Sequence, residues 1–182
     1  VAAGIRASIR LDDPKTASYS TLLATKALID LYRKSGAAED CNELTGLEKW
    51  NMNAFMAGGN VKKCHDRMAE YAPLFHAEID RVLSDPAISG SSHCRNCGHN
   101  AYQQAVKILD IKDDNSVVAS GLAGGLGLSG NVCGALSATL LAVAVKYFEI
   151  RDKPKHGMVR SNLQGMYIGD RWMEPLKTIS RS

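Results

Sequence analysis

Apolar positions recur along this chain at helical spacing. From Thr16 to Ser35, TASYSTLLATKALIDLYRKS places Leu22, Leu23, Ala27, Leu28, Leu31 and Tyr32 near one face, and Gly36 follows at a helix-stop position. Asp40 or Asn42 can cap the next turn, with Cys41 at its start. AGGN, Ala57 to Asn60, reads as a turn. Val61 to Leu83 reads as a helix opened by Cys64, with Met68, Tyr71, Ala72, Phe75, Ile79 and Leu83 inward, and Pro73 predicts a kink or break near Tyr71. SDPAISGSS, Ser84 to Ser92, has the composition of a linker. AYQQAVKIL, Ala101 to Leu109, continues as a helix, and a last one is expected from Val159 to Ile179, tilted or interrupted at Pro175.

The stretch Ser120 to Val145, SGLAGGLGLSGNVCGALSATLLAVAV, joins a glycine-rich turn to the most apolar helix of the chain. Ser129 or Asn131 offers an N-cap side chain, so Cys133 is expected in the first helical turn. There the unpaired amides and the positive end of the helix dipole favour a thiolate, the form that binds metals and attacks disulfides. A buried inert cysteine is the other reading of that position. Gly125, Gly127 and Gly130 spell G-x-G-x-x-G, but the upstream VVAS is short and no second parallel strand follows. The acid near the right distance, Glu149, falls at the end of the helix itself, so dinucleotide binding is set aside.

Ala, Gly and Leu are plentiful while aromatics make up only 6% of the chain, which favours closely packed helices over a β-sandwich. The expected fold is all-α: one compact multi-helix domain with a buried central helix after the glycine-rich turn. The net charge of +3 comes from interspersed acids and bases, so nucleic-acid binding is not indicated. Residues 115–145 form 31 positions without a formal charge, yet six glycines lie among them and the apolar part is shorter than the roughly 20 residues of a bilayer helix. No membrane span is expected. The opening VAAGIRASIR lacks the apolar run of a leader, and five cysteines are an odd number for a secreted disulfide framework. A reducing, cytoplasmic setting with a metal or redox role follows as the expectation.

Cys94 and Cys97 form a C-x-x-C flanked by His93 and His99, a pattern open to half a zinc site, a cluster ligand pair or a dithiol. No βαβ context favours thioredoxin, and no second close pair favours a zinc ribbon. Cys64-His65 has Val61 three residues before the cysteine, so there is no haem attachment motif. His65 and His99 sit beside candidate ligand cysteines and read either as solvated helix-start histidines or as replacement ligands; His76 reads as a helix-face residue.

The chain also echoes itself at an offset of 140 residues. IRASIRLDDPK, from Ile5, lies over VKYFEIRDKPK, from Val145, and Leu28, Asp30 and Tyr32 lie over Ile168, Asp170 and Trp172. Four further segments, NCGHNAYQQAV, GLAGGLGLSGNVCGAL, DCNELTGL and VKKCHDRMAEYA, together resemble the family of redox-active proteins named after the cysteine pattern C-GCAxxG-C-C. Cys97, Cys133, Cys41 and Cys64 are the matching cysteines, in permuted order. Residues 1–88 resemble the family's C-terminal part and residues 93–182 its N-terminal part. Cys94 is an extra thiol.

The resemblance implies a redox protein in which Cys41, Cys64, Cys97 and Cys133, with Cys94 as a further candidate, bind an iron-sulfur cluster or another metal and pass electrons to a redox partner protein. Two other classes stay open: a cofactor-free dithiol/disulfide oxidoreductase or sensor using Cys94 and Cys97, and a structural or partner-binding helical module. Colour separates the first from the others, and titratable thiols separate the second from the third. The linker between halves with two cysteines each, and the small-residue face Gly134, Ala135, Ala138 and Ala142, point to a homodimer by exchange.

Overall fold

Among the described residues the expected all-helical character is present. A computed structural model describes residues 1–49, 51–88, 96–112 and 115–150, and among these no strand occurs. The expected helix over Val159–Ile179 and the thiol of Cys94 lie outside the described residues. No described helix is long and apolar enough to cross a membrane.

The chain opens with α1, Ala2–Arg10, which the sequence reading did not anticipate. Its buried positions are Ala3, Gly4 and Ala7, so the face that packs carries no large apolar residue to announce a helix. Helix α2, Pro14–Lys34, begins earlier than expected, because Pro14 occupies the first turn and the Asp13 carboxylate accepts from the Thr16 amide at 2.8 Å. It ends at Ser35, and Gly36 turns the chain away with φ +67°.

Two short helices follow, α3 at Cys41–Thr45 and α4 at Met52–Ala57, capped by the Asp40 and Asn51 side chains. Helix α5 runs unbroken over Asn60–Leu83, with Pro73 inside it. A proline there removes one amide donor, and the packing on either side outweighs that loss. Tyr71, Ile79 and Val82 are buried along one stripe, and the Tyr32, Tyr71 and Phe75 rings cluster with Tyr71 4.9 Å from Tyr32 and 5.6 Å from Phe75. Because this stripe faces α2, Ala72 is exposed and Met68 is 70% exposed, contrary to their expected inward placement. Asp80 of α5 also accepts from Arg6 at 3.1 Å and lies 3.0 Å from Arg10, tying α5 to α1.

The second half is α6, Cys97–Leu109, then a 3-10 helix over Ser116–Leu122, then α7, Gly134–Ile150. Helices α6 and α7 run parallel. Their starts meet at the end of the 3-10 helix, and their far ends meet where the Lys112 amide donates to Glu149 at 3.0 Å and the Lys146 ammonium donates to the Asp110 carbonyl. Ala138 and Ala142 are fully buried among Tyr102, Ala105, Val106, Ile111 and Ala119. Ala138 and Ala142 of the small-residue face therefore pack within the same chain, and Gly134 lies against Leu122 and Ala123.

The 3-10 helix is the element on which both halves of the chain pack. At Gly4 the backbone of α1 lies so close to it that a Cβ would fall 2.5 Å from Val118 Cα and 2.7 Å from the Val117 carbonyl. Replacing Gly4 with alanine should therefore destabilise the protein by about 2 kcal/mol despite alanine's better helix propensity, because overpacked positions typically cost 1–3 kcal/mol. Urea unfolding should show this as a lower midpoint at unchanged slope; a Gly4→Ala protein as stable as the parent would contradict the packing.

Candidate functional site

Both Cys97 and Cys133 are followed by a glycine, and both glycines press on one ledge, Ala119–Ala123. A Cβ on Gly98 would fall 2.5 Å from the Ala119 carbonyl and 3.2 Å from the Ala123 amide nitrogen. A Cβ on Gly134 would run into the Leu122 carbonyl and sit 3.1 Å from Ala123 Cα. The Cys-Gly pair thus lets each helix begin in contact with the ledge while the thiol of the preceding residue stays exposed.

Caps set the two starts. Asn96 is buried and bridges α6 to the ledge: its Oδ1 accepts from the His99 amide at 2.9 Å and its Nδ2 donates to the Ser120 carbonyl at 2.9 Å. Ser120, fully buried, shares a 2.7 Å hydrogen bond with Ser18 of α2 and lies 3.5 Å from His99 Nδ1. His99 is thus tied into the fold at the first turn of α6. Cys133 itself takes the N-cap position of α7, since its carbonyl accepts from the Ser137 amide at 3.0 Å. It lies just outside the first helical turn in which it was expected. Ser129 and Asn131, the expected caps, are engaged elsewhere: the Ser129 hydroxyl donates to the Gly125 carbonyl, and Asn131 Nδ2 reaches Glu39 at 3.4 Å.

Between ledge and Cys133 the chain makes a turn of the uncommon hand. Five successive residues have positive φ: Gly124 at 60°, Gly125 at 80°, Leu126 at 67°, Gly127 at 58° and Leu128 at 64°. Left-handed backbone costs roughly 1–2 kcal/mol per residue bearing a Cβ, so the two leucines are held there by their surroundings. Gly127 lies against the α2 backbone at Thr25 and Lys26, where a Cβ would come within 2.8 Å of the Lys26 nitrogen. Leu126, Leu128 and Val132 are left exposed, an apolar lip leading to Cys133.

The other two cysteines are linked to this region through α3. Cys41 is the first residue of α3, two positions beyond Glu39, the residue that meets Asn131. Glu39 is held by Arg33, at 2.8 Å and 3.0 Å, and that hydrogen bonding, more than the weaker contact from Asn131, holds its carboxyl below the usual Glu value. Cys64 lies in the second turn of α5 rather than opening it, because α5 begins at Asn60; its neighbour Lys63 donates to the Thr45 carbonyl at the end of α3 at 3.4 Å. All four described cysteines are free, with Cys64 half-buried and the other three exposed. Among the described residues no three His, Cys, Asp or Glu side chains are grouped to hold a metal ion.

One group was missed in the sequence reading. The buried hydroxyl and amide set Ser18, Asn96 and Ser120 fixes how α2, α6 and the ledge meet, and in the sequence these residues are indistinguishable from surface polar positions. Compared with known proteins, the chain matches no family model, no curated protein and no solved structure.

Two outcomes follow for the site. A carboxylate whose folded value is depressed adds stability above its unfolded value, about 4.5 for Glu39, and loses it as pH falls through the folded value. Unfolding midpoints measured across pH should thus be insensitive to Glu39 protonation above pH 5 and fall below about 4.5, and Glu39→Gln should make that acid limb shallower. In native-state alkylation mapped by peptide mass, Cys41, Cys97 and Cys133 should react before Cys64, by several-fold; Cys64 reacting first would contradict the described exposures.

Proposed function

We propose that this chain is a thiol redox protein whose working groups are Cys97 and Cys133, with Cys94, the C-x-x-C partner of Cys97, as the alternative second thiol. The observation that carries this reading is the pair of parallel helices that begin on one ledge, each with an exposed cysteine at its start. The contacts of Gly98 and Gly134 bring the starts of α6 and α7 to the same ledge, each with its cysteine open to a partner.

In the exchange reaction a thiolate attacks a disulfide of the partner, the partner's S–S bond breaks, and a mixed disulfide forms. A second thiol of this chain, once deprotonated, attacks that mixed bond, leaving this chain oxidised and the partner as a dithiol. Two electrons and two protons pass to the partner in all. The apolar lip Leu126, Leu128 and Val132 gives an extended segment of that partner a surface beside Cys133.

The iron-sulfur reading draws on the same thiols. Four thiolates, Cys41, Cys64, Cys97 and Cys133, are the donor chemistry that such clusters take, and a bound cluster would supply one-electron transfer. Their grouping does not fit as it stands, since no three candidate ligands are placed together among the described residues. Disulfide exchange needs only two thiols.

The test is anaerobic purification followed by iron, acid-labile sulfide and thiol assays before and after exposure to a small disulfide such as oxidised glutathione. Two thiols should be lost per chain on oxidation, reversibly, with no stoichiometric iron. Cys97→Ser should slow oxidation at least tenfold. Cys133→Ser should do the same if Cys133 is the second thiol, and Cys94→Ser if the C-x-x-C is. Stoichiometric iron and sulfide, lost in Cys41→Ser and Cys64→Ser, would replace this reading with cluster binding.

A further inference from the structure

The turn between α1 and α2 meets the start of the 3-10 helix around a cavity of about 330 Å³. Small-ligand sites occupy roughly 300–1,000 Å³, so this one has room for a small molecule. Part of its wall is apolar, with Leu11 at the end of α1, Pro14 and Ala17 in the first turns of α2, and Val117 in the 3-10 helix. The remaining wall is polar and comes from Ser8, Asp12, Asn115 and Ser116.

That polar wall is short of donors. Ser8 donates its hydroxyl to the Ile5 carbonyl at 3.0 Å and accepts from Asn115 Nδ2 at 3.1 Å. Asn115 is thus held with its amide nitrogen engaged and its carbonyl oxygen without a partner among the described residues. Ser116 is only 5% exposed, yet its hydroxyl makes no hydrogen bond among the described residues. Its oxygen is not sealed from solvent either, so this otherwise buried group opens onto the cavity it lines. Asp12, exposed at the rim, carries a carboxylate that no described Lys or Arg meets. Its neighbour Asp13, by contrast, is committed to capping α2 through the Thr16 amide at 2.8 Å and hydroxyl at 2.6 Å.

Buried polar groups are ordinarily hydrogen-bonded, so an unmatched hydroxyl, amide oxygen and carboxylate on one wall call for a ligand that donates. The Asp12 carboxylate disfavours anions. A divalent cation would want several carboxylates, and no three His, Cys, Asp or Glu are grouped among the described residues. A primary ammonium brings one positive charge and three donors, and a short alkyl chain attached to it suits the apolar wall. We propose that this cavity binds a small primary alkylammonium ion. Asp12 meets its charge, Ser116 and the Asn115 carbonyl oxygen accept its other N–H groups, and Leu11, Ala17 and Val117 lie along its alkyl chain. This inference does not depend on the thiol reading.

The experiment is an NMR titration of the isotopically labelled full chain with n-butylammonium chloride at constant ionic strength. Amide signals of Ser8, Asp12, Ser116 and Val117 should shift saturably, and n-butanol should bind at least tenfold more weakly. Asp12→Asn, which alters an exposed residue and should leave the rest of the spectrum in place, should weaken butylammonium binding at least tenfold. Ser116→Ala should weaken it at least threefold. No saturable shift at these amides, equal binding of n-butanol, or unaltered binding in Asp12→Asn would each overturn the proposal. Competition with putrescine and with Nα-acetyl-lysine methylamide then separates a free amine from the lysine side chain of a partner protein, the tighter competitor naming the source. If neither displaces n-butylammonium, the proposal fails.

Discussion

Close approach of backbone to backbone at the 3-10 helix is the constraint on which the rest of this structure depends. Helix α1 reaches it at Gly4, α6 at Gly98 and α7 at Gly134, and at each contact a side chain would collide with main-chain atoms. Dispersion weakens steeply with distance, so helices brought this near gain contact along their whole length. That explains how a chain with few aromatics builds its core from alanines: Ala7, Ala24, Ala119, Ala138 and Ala142 have no exposed surface. The same approach fixes where Cys97 and Cys133 stand.

Small residues cannot choose one register by shape alone, since alanine and glycine surfaces slide past one another. Here the choice falls to buried polar groups. Ser18, Ser120 and Asn96 satisfy one another across α2, the ledge and α6, and a shift of one residue would strand each of them without a partner. An unmet buried polar group costs about 1–3 kcal/mol, so these contacts penalise misregistered packing more than they strengthen the correct one.

Much of this was legible in the sequence, and the errors share a cause. All-helical character, the stop at Gly36, the Asp40 cap, the helix through Ala101–Leu109 and the apolar helix after the glycine turn follow from local rules: periodicity, capping chemistry and positive φ. What escaped is set by tertiary contact. Helix α1 packs through Ala3, Gly4 and Ala7, which carry too little hydrophobicity to register as a stripe. Pro73 was given its local effect, while the aromatic cluster around Tyr71 holds α5 continuous. Ser129 and Asn131 looked like caps because both are chemically suited, but the left-handed turn directs them to Gly125 and Glu39. The grouping of the cysteines depends on how α3, α5 and the ledge meet, and no local pattern encodes that.

The left-handed turn at Gly124–Leu128 makes the surroundings of Cys133 conditional on the other half of the molecule. Its two leucines hold a conformation that the isolated peptide would abandon, and Gly127 rests directly on the backbone of α2 at Thr25 and Lys26. Whatever loosens α2 also frees that turn to revert to its ordinary hand, with the start of α7 following it. The start of α7, where the exposed Cys133 stands, therefore takes its place only in a molecule whose N-terminal helices have already found theirs.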